Sequence, residues 1–114
     1  SDENMNNTFL IGHNINNFDL PFIKTQCSRY NIKFPPYFKT IDTMRMSQYI
    51  LMDQYSHRLD VLANLFGIDN NNAHRAMSDA HTTRIIFNNL CLLFKRDHDK
   101  CTPNLLYYKT TLFR

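Results

Sequence analysis

The sequence contains a single glutamate, Glu3, set in the polar opening Ser1-Asp2-Glu3-Asn4 rather than at the end of an apolar strand. It has no Cys-x-x-C pair. Cys27, Cys91 and Cys101 are an odd set, with Cys27 and Cys91 inside apolar helical patterns, which reads as three reduced thiols in an intracellular protein. No run of Lys or Arg forms a basic arm: the net charge of +3 (pI near 8.8) is spread along the chain, which suits a polyanionic partner without requiring one. No apolar stretch approaches the roughly 18 residues that a bilayer-spanning helix needs, and the polar first residues lead us to expect neither a signal peptide nor a membrane partner. There is no internal repeat, and the asparagine clusters read as loop and turn filler. What is present, 43% apolar and 13% aromatic residues in 114, fits one small globular domain.

Along the chain, residues 1–7 read as a disordered or linker segment. Thr8 to Gly12 is a short apolar run of strand formers. A helix is expected over about Phe18 to Tyr30, capped by Asn16 or Asn17, with Pro21 in its first turn and Phe18, Phe22, Ile23 and Cys27 at helical spacing. Pro35-Pro36 forces an extended turn, and a second strand is expected over Tyr37 to Ile41, ending at Asp42-Thr43. Helices follow over about Met44 to Leu51 and Leu59 to Phe66, the latter closed by Gly67. After a polar loop, a long helix from Ala76 to Phe94 carries a stripe of Ala76, Ala80, Thr83, Phe87, Leu90 and Phe94. The segment 96–114 is expected to dock on the domain, with Leu105 to Tyr108 as strand or short helix. Two strands among four helices make a sparse core for an α/β domain.

Two segments carry candidate chemistry. Phosphodiester cleavage needs an activated water and relief of charge on the phosphate, which two hard cations held by carboxylates provide. A neutral histidine near its working pH can take the water's proton. Asp79 falls in the first turn of the long helix, where the dipole favours its anion, and His74 precedes that helix in a loop. Asp19 follows a strand terminus, the place where α/β proteins usually bind ligands. Each residue also has an ordinary reading: an aspartate as dipole partner, a histidine as cap or surface residue, His13-Asn14 as a plain turn.

The order and separation of these segments resemble motifs II and III of the DEDDh class of DnaQ-like 3′→5′ exonucleases. His74, Ala76, Asp79 and Ala80 match H-x-A-x-x-D-A, and Arg75 stands where the related tyrosine class carries its tyrosine. His13, Asn14, Phe18 and Asp19 match motif II with a three-residue gap, similar to the TREX-like branch. Ile41-Asp42-Thr43 and Leu59 to Ile68 resemble the segments between those motifs, so the likeness covers about residues 8–95. It implies an α/β, ribonuclease H-like fold. It also implies Asp19 and Asp79 as catalytic metal-site carboxylates for Mg²⁺ or Mn²⁺, His74 as general base, and Asn14 and Phe18 beside the terminal nucleotide of a single-stranded 3′ end, DNA or RNA. His13 fits the same substrate-binding group. Asp42 reads as a cap or turn former, and Asp60, His57, His81 and His98 as surface or helix-end residues.

The family's motif I, an Asp-x-Glu on an opening strand, has no counterpart here. The expectation is therefore an N-terminally truncated exonuclease domain, weak or inactive alone. It could be a fragment whose upstream part carries motif I, a chain completed by a separate polypeptide or a polymerase-type partner, or a degenerate derivative. The alternative reading is a non-catalytic nucleic-acid-binding or protein-interaction module.

Overall fold

The computed structural model describes residues 8–34, 39–69 and 76–112. Strand β1 (Phe9–Gly12) leads through helix α1 (Asp19–Arg29) to β2 (Lys39–Asp42), and helices α2 (Thr43–Ile50), α3 (Leu59–Leu65), α4 (Ala76–His98) and α5 (Pro103–Tyr107) follow. A single π-helical turn, Tyr108–Leu112, ends the described chain. The two strands pair in parallel with Gly12 opposite Asp42, so both strand ends deliver their following residues to the same edge. The architecture is mixed α/β, as expected, and the sheet has two strands among the described residues.

The core is built on α4. Ile86, Leu90 and Phe94 recur at helical spacing and are fully buried against Met46 of α2, Leu62 and Ala63 of α3, Ile41 of β2 and Leu106 of α5. The expected stripe is corrected at two places: Ile86 is a core residue, whereas Ala80 is exposed. The physical reason is that Ala80 borders a cleft, whereas Ile86 packs into the core cluster. The side chain of Ala76 lies outside the described set.

Other boundaries also shift. The second strand is described from Lys39, with Tyr37 and Phe38 outside the described residues. Helix α4 runs one turn past Phe94 to His98, and Asp99, in the left-handed conformation (φ 65°), turns the chain away. The region left open between strand and helix is helical. The Thr102 hydroxyl accepts from the Leu105 amide (3.2 Å) and Pro103 occupies the first turn, a favourable start for even a short helix. Gly67 closes α3 with φ 68°, as expected of a C-terminal glycine. No helix among the described residues is long and apolar enough to cross a membrane. The three cysteines are free; burial, with the Cys101 thiol alongside, pushes the Cys91 thiol up to about 12.

Candidate active site

The turn after β1 is the hinge of the site. Asn14 takes a left-handed conformation (φ 56°), which asparagine tolerates better than most residues, and its carbonyl accepts from the amides of Asn17 and Phe18. Its own amide donates to Asp42 Oδ1 (2.7 Å), and the same oxygen caps α2 by accepting from the Met44 amide (2.9 Å). Asp42 is 3% exposed. Burial raises its pKa from the ordinary carboxylate value, while the amides of Asn14 and Met44 pull it back down. One carboxylate thereby ties the end of β1 to the end of β2.

The expected capping of α1 by Asn16 or Asn17 is corrected. Phe18 occupies the cap position without a side-chain cap bond, because Asn17 Nδ2 instead donates to Asn14 Oδ1 (2.8 Å). Asn16 is drawn to β2, accepting from the Thr40 hydroxyl (3.1 Å).

His13 is held at both ring nitrogens. Nε2 lies 2.7 Å from the His57 carbonyl and can only donate there; Nδ1 lies 2.9 Å from the Thr43 hydroxyl. Burial lowers the His13 pKa and favours the neutral ring, whose proton then sits on Nε2, leaving Nδ1 to share the single Thr43 hydroxyl proton with the Gly12 carbonyl. That hydroxyl also lies 3.2 Å from the Gly12 carbonyl. His57 differs from its surface reading. It is half-buried, with Nδ1 2.9 Å from Ser47 Oγ and its carbonyl receiving His13. His98 is a helix-end residue as expected, stacked on Phe94 at 3.9 Å.

These links set the wall of a cleft of about 870 Å³. His13, Asn14, Phe18 and Asp19 line one side, and Asp79, Ala80, Thr83, Arg84 and Phe87 of α4 line the other. Both aspartates open a helix, so each carboxylate sits at a positive dipole end. Gly12 makes room for the first: a Cβ there would meet Asp19 Oδ2 and Ile15 Cβ, each at 3.0 Å. The structure thus brings Asp19, Asp79, His13, Asn14 and Phe18 to one cleft, while His74 lies outside the described residues. Sequence reasoning did not single out Gly12, Arg58 or Arg84. Gly12 had a signal in its position at the strand end; the arginines had none, because exposed cations are common on any protein surface.

Hard-oxygen donors suit Mg²⁺ or Mn²⁺, and Asp19 and Asp79 fit that need in kind. In number they give two carboxylates, and no group of three His, Cys, Asp or Glu side chains among the described residues converges closely enough to hold a metal ion.

Comparison with known proteins bears on the same residues. The family model described as Exonuclease matches residues 2–87. A protein described as 3'-5' exonuclease DinG from Staphylococcus aureus (strain bovine RF122 / ET3-1) is 38% identical over 81 residues, covering 71% of this chain and 9% of the relative. Its Staphylococcus epidermidis counterpart is 34% identical over 102 residues, covering 90% and 11%. A DNA polymerase III PolC-type from Caldanaerobacter subterraneus is 33% identical over 78 residues, covering 68% and 5%. The chain therefore spans about a tenth or less of the length of these relatives. No solved structure matches it significantly. The family match runs from before β1 into the middle of α4, through Asp19 and Asp79 of the cleft, and the chain belongs on that ground to the exonuclease family, in its DnaQ-like branch.

Proposed function

We propose that this chain forms part of a 3′→5′ exonuclease centre that hydrolyses nucleotides from single-stranded 3′ ends of DNA or RNA inside the cell. The observation that carries the reading is the meeting of Asp19 and Asp79, from the first turns of two helices, in one cleft with Asn14 and Phe18. Asp19 and Asp79 would hold the Mg²⁺ or Mn²⁺ ions. When bound, such ions lower the pKa of the attacking water and stabilise the leaving oxygen. Phe18, 66% exposed at the cleft rim, offers a face on which the terminal base stacks. His13 is a positioning residue in this scheme, since both ring nitrogens are occupied by Thr43 and His57. His74 is the base that takes a proton from the water, the role its place in the motif implies. The PolC-type relative, described as a DNA polymerase, supports a polymerase-type partner.

The 114 residues contain no Asp-x-Glu, and charge count governs affinity for hard cations. We therefore assign weak or no turnover to these residues alone, with the complementary carboxylates supplied by a strand ending in Asp-x-Glu upstream or on a second polypeptide. The same deficit favours a second reading, a binding module that keeps the exonuclease shell. Degradation of a 3′-labelled single-stranded oligonucleotide with Mn²⁺ separates them, comparing the chain with and without a strand-bearing complement against His74→Ala and Asp79→Ala. Turnover that appears with the complement and vanishes in both variants supports the enzyme. Oligonucleotide binding with no turnover under either condition supports the module. Turnover indifferent to Asp79→Ala overturns the site.

A further inference from the structure

The cleft has a second pole. Arg58, immediately before α3, and Arg84, on the third turn of α4, enter it from two different elements, with Met44, Leu59 and Phe87 also in its lining. Arg84 follows Asp79 by five positions, about 7.5 Å further along the axis of α4, and both line the cleft. Among the described residues it makes no ion pair. Arg58 is engaged only at the surface: its guanidinium lies 3.2 Å from Asp60 Oδ2, with side chains 74% and 52% exposed. Such a pair contributes little, so exchange of Asp60 for a better acceptor costs little.

Electrostatics says what that acceptor is. Asp19, Asp60 and Asp79 all line the cleft, and three carboxylates repel a polyanion unless nearby cations offset them. Guanidinium groups pair with phosphate oxygens through two parallel hydrogen bonds, a geometry that suits a strand backbone. The cleft volume of about 870 Å³ lies at the upper end of the roughly 300–1,000 Å³ typical of small-molecule sites, leaving room beside one nucleotide for part of the next. We propose that Arg58 and Arg84 form a phosphate subsite that grips the backbone of a single strand in the same cleft as Asp19 and Asp79. This rests on the exonuclease reading of the cleft and adds the residues that set how the strand is held.

The test is binding of a fluorescent single-stranded oligonucleotide to the full chain across a salt series. Arg58→Gln and Arg84→Gln should each weaken binding about fivefold, the size of a partly exposed ion pair, and lower the log–log salt slope by about 0.7. Arg→Lys at either position should keep the slope, because the charge remains. Asp60→Asn should leave binding equal or tighter, since it frees Arg58. If Arg58 served only as the partner of Asp60, Asp60→Asn would weaken binding as Arg58→Gln does, and that result overturns its role. Unchanged affinity and slope in both Gln variants of a chain that binds overturns the subsite and leaves the exonuclease reading standing. A wild-type chain, folded by its thermal transition, that binds no oligonucleotide overturns both.

Discussion

Helices α1 and α4 each bring an aspartate in their first turn to the same cleft, yet they are held in opposite ways. Helix α4 buries Ile86, Leu90 and Phe94 in the centre of the core, whereas α1 has no buried residue and leaves Phe22 64% exposed. Asp79 is therefore positioned by packing. Asp19 is positioned by the polar turn before it, in which Asp42 holds the Asn14 amide and His13 bridges Thr43 to the His57 carbonyl. A packed helix keeps its orientation through many small contacts, and a turn of this kind depends on a few directional ones. The two halves of one site should thus fail differently.

The largest effect should come from the packed side. Phe94→Ala removes a fully buried ring between α2 and α4 and should cost about 3–5 kcal/mol, read as a fall in the urea midpoint. For a domain of this size that is a large fraction of total stability. Asp42→Ala comes next: it removes the cap of α2 and strands the Asn14 amide, a loss of about 1–3 kcal/mol. Asp42→Asn should restore most of it, because an amide oxygen accepts the same two bonds. A loss in Asp42→Ala below a few tenths would mean that the turn is held by something other than this carboxylate.

A pH effect follows from His13. Its folded-state pKa lies below the ordinary 6.5, chiefly through burial. As pH falls below that value the unfolded chain binds the proton first, so this contribution is complete above about pH 6.5 and is lost on acidification toward the folded-state pKa. His13→Gln keeps a donor for the His57 carbonyl and cannot titrate. The difference in urea midpoint between wild type and variant should therefore shrink as the pH is lowered through that window. A constant difference would show that His13 is not the neutral bridge inferred from its two contacts.

The same contrast explains what could be read from the chain beforehand. The long helix was legible because Leu90 and Phe94 repeat at helical spacing and their burial follows from it. Asp42 and Gly67 were legible because capping and the left-handed turn select few residue types. The pattern Phe18, Phe22, Ile23 revealed a helix but not its environment, since periodicity says which residues share a face and nothing of what covers that face. The Asn14 turn was missed as a replacement for an ordinary cap because it depends on Asp42, far along the chain, arriving in register beside β1. Site residues emerged from motif spacing; the roles of His57 and Thr43 as anchors for His13 depended on packing that no local pattern carries.

The smallest effect should come from the exposed helix, and its smallness is informative. Phe22→Ser changes a side chain on the outer part of α1 that buries little against the rest of the described structure. The unfolding free energy should move by no more than about 0.5 kcal/mol, as at other surface positions. Because Asp19 opens the same helix, oligonucleotide binding should also hold if the turn, rather than the helix face, sets the carboxylate. A loss of about 2 kcal/mol or more in Phe22→Ser would reverse the comparison, since only burial produces losses of that size on truncating an aromatic ring. Helix α1 would then be packed in solution, and both aspartates would be held by core contacts.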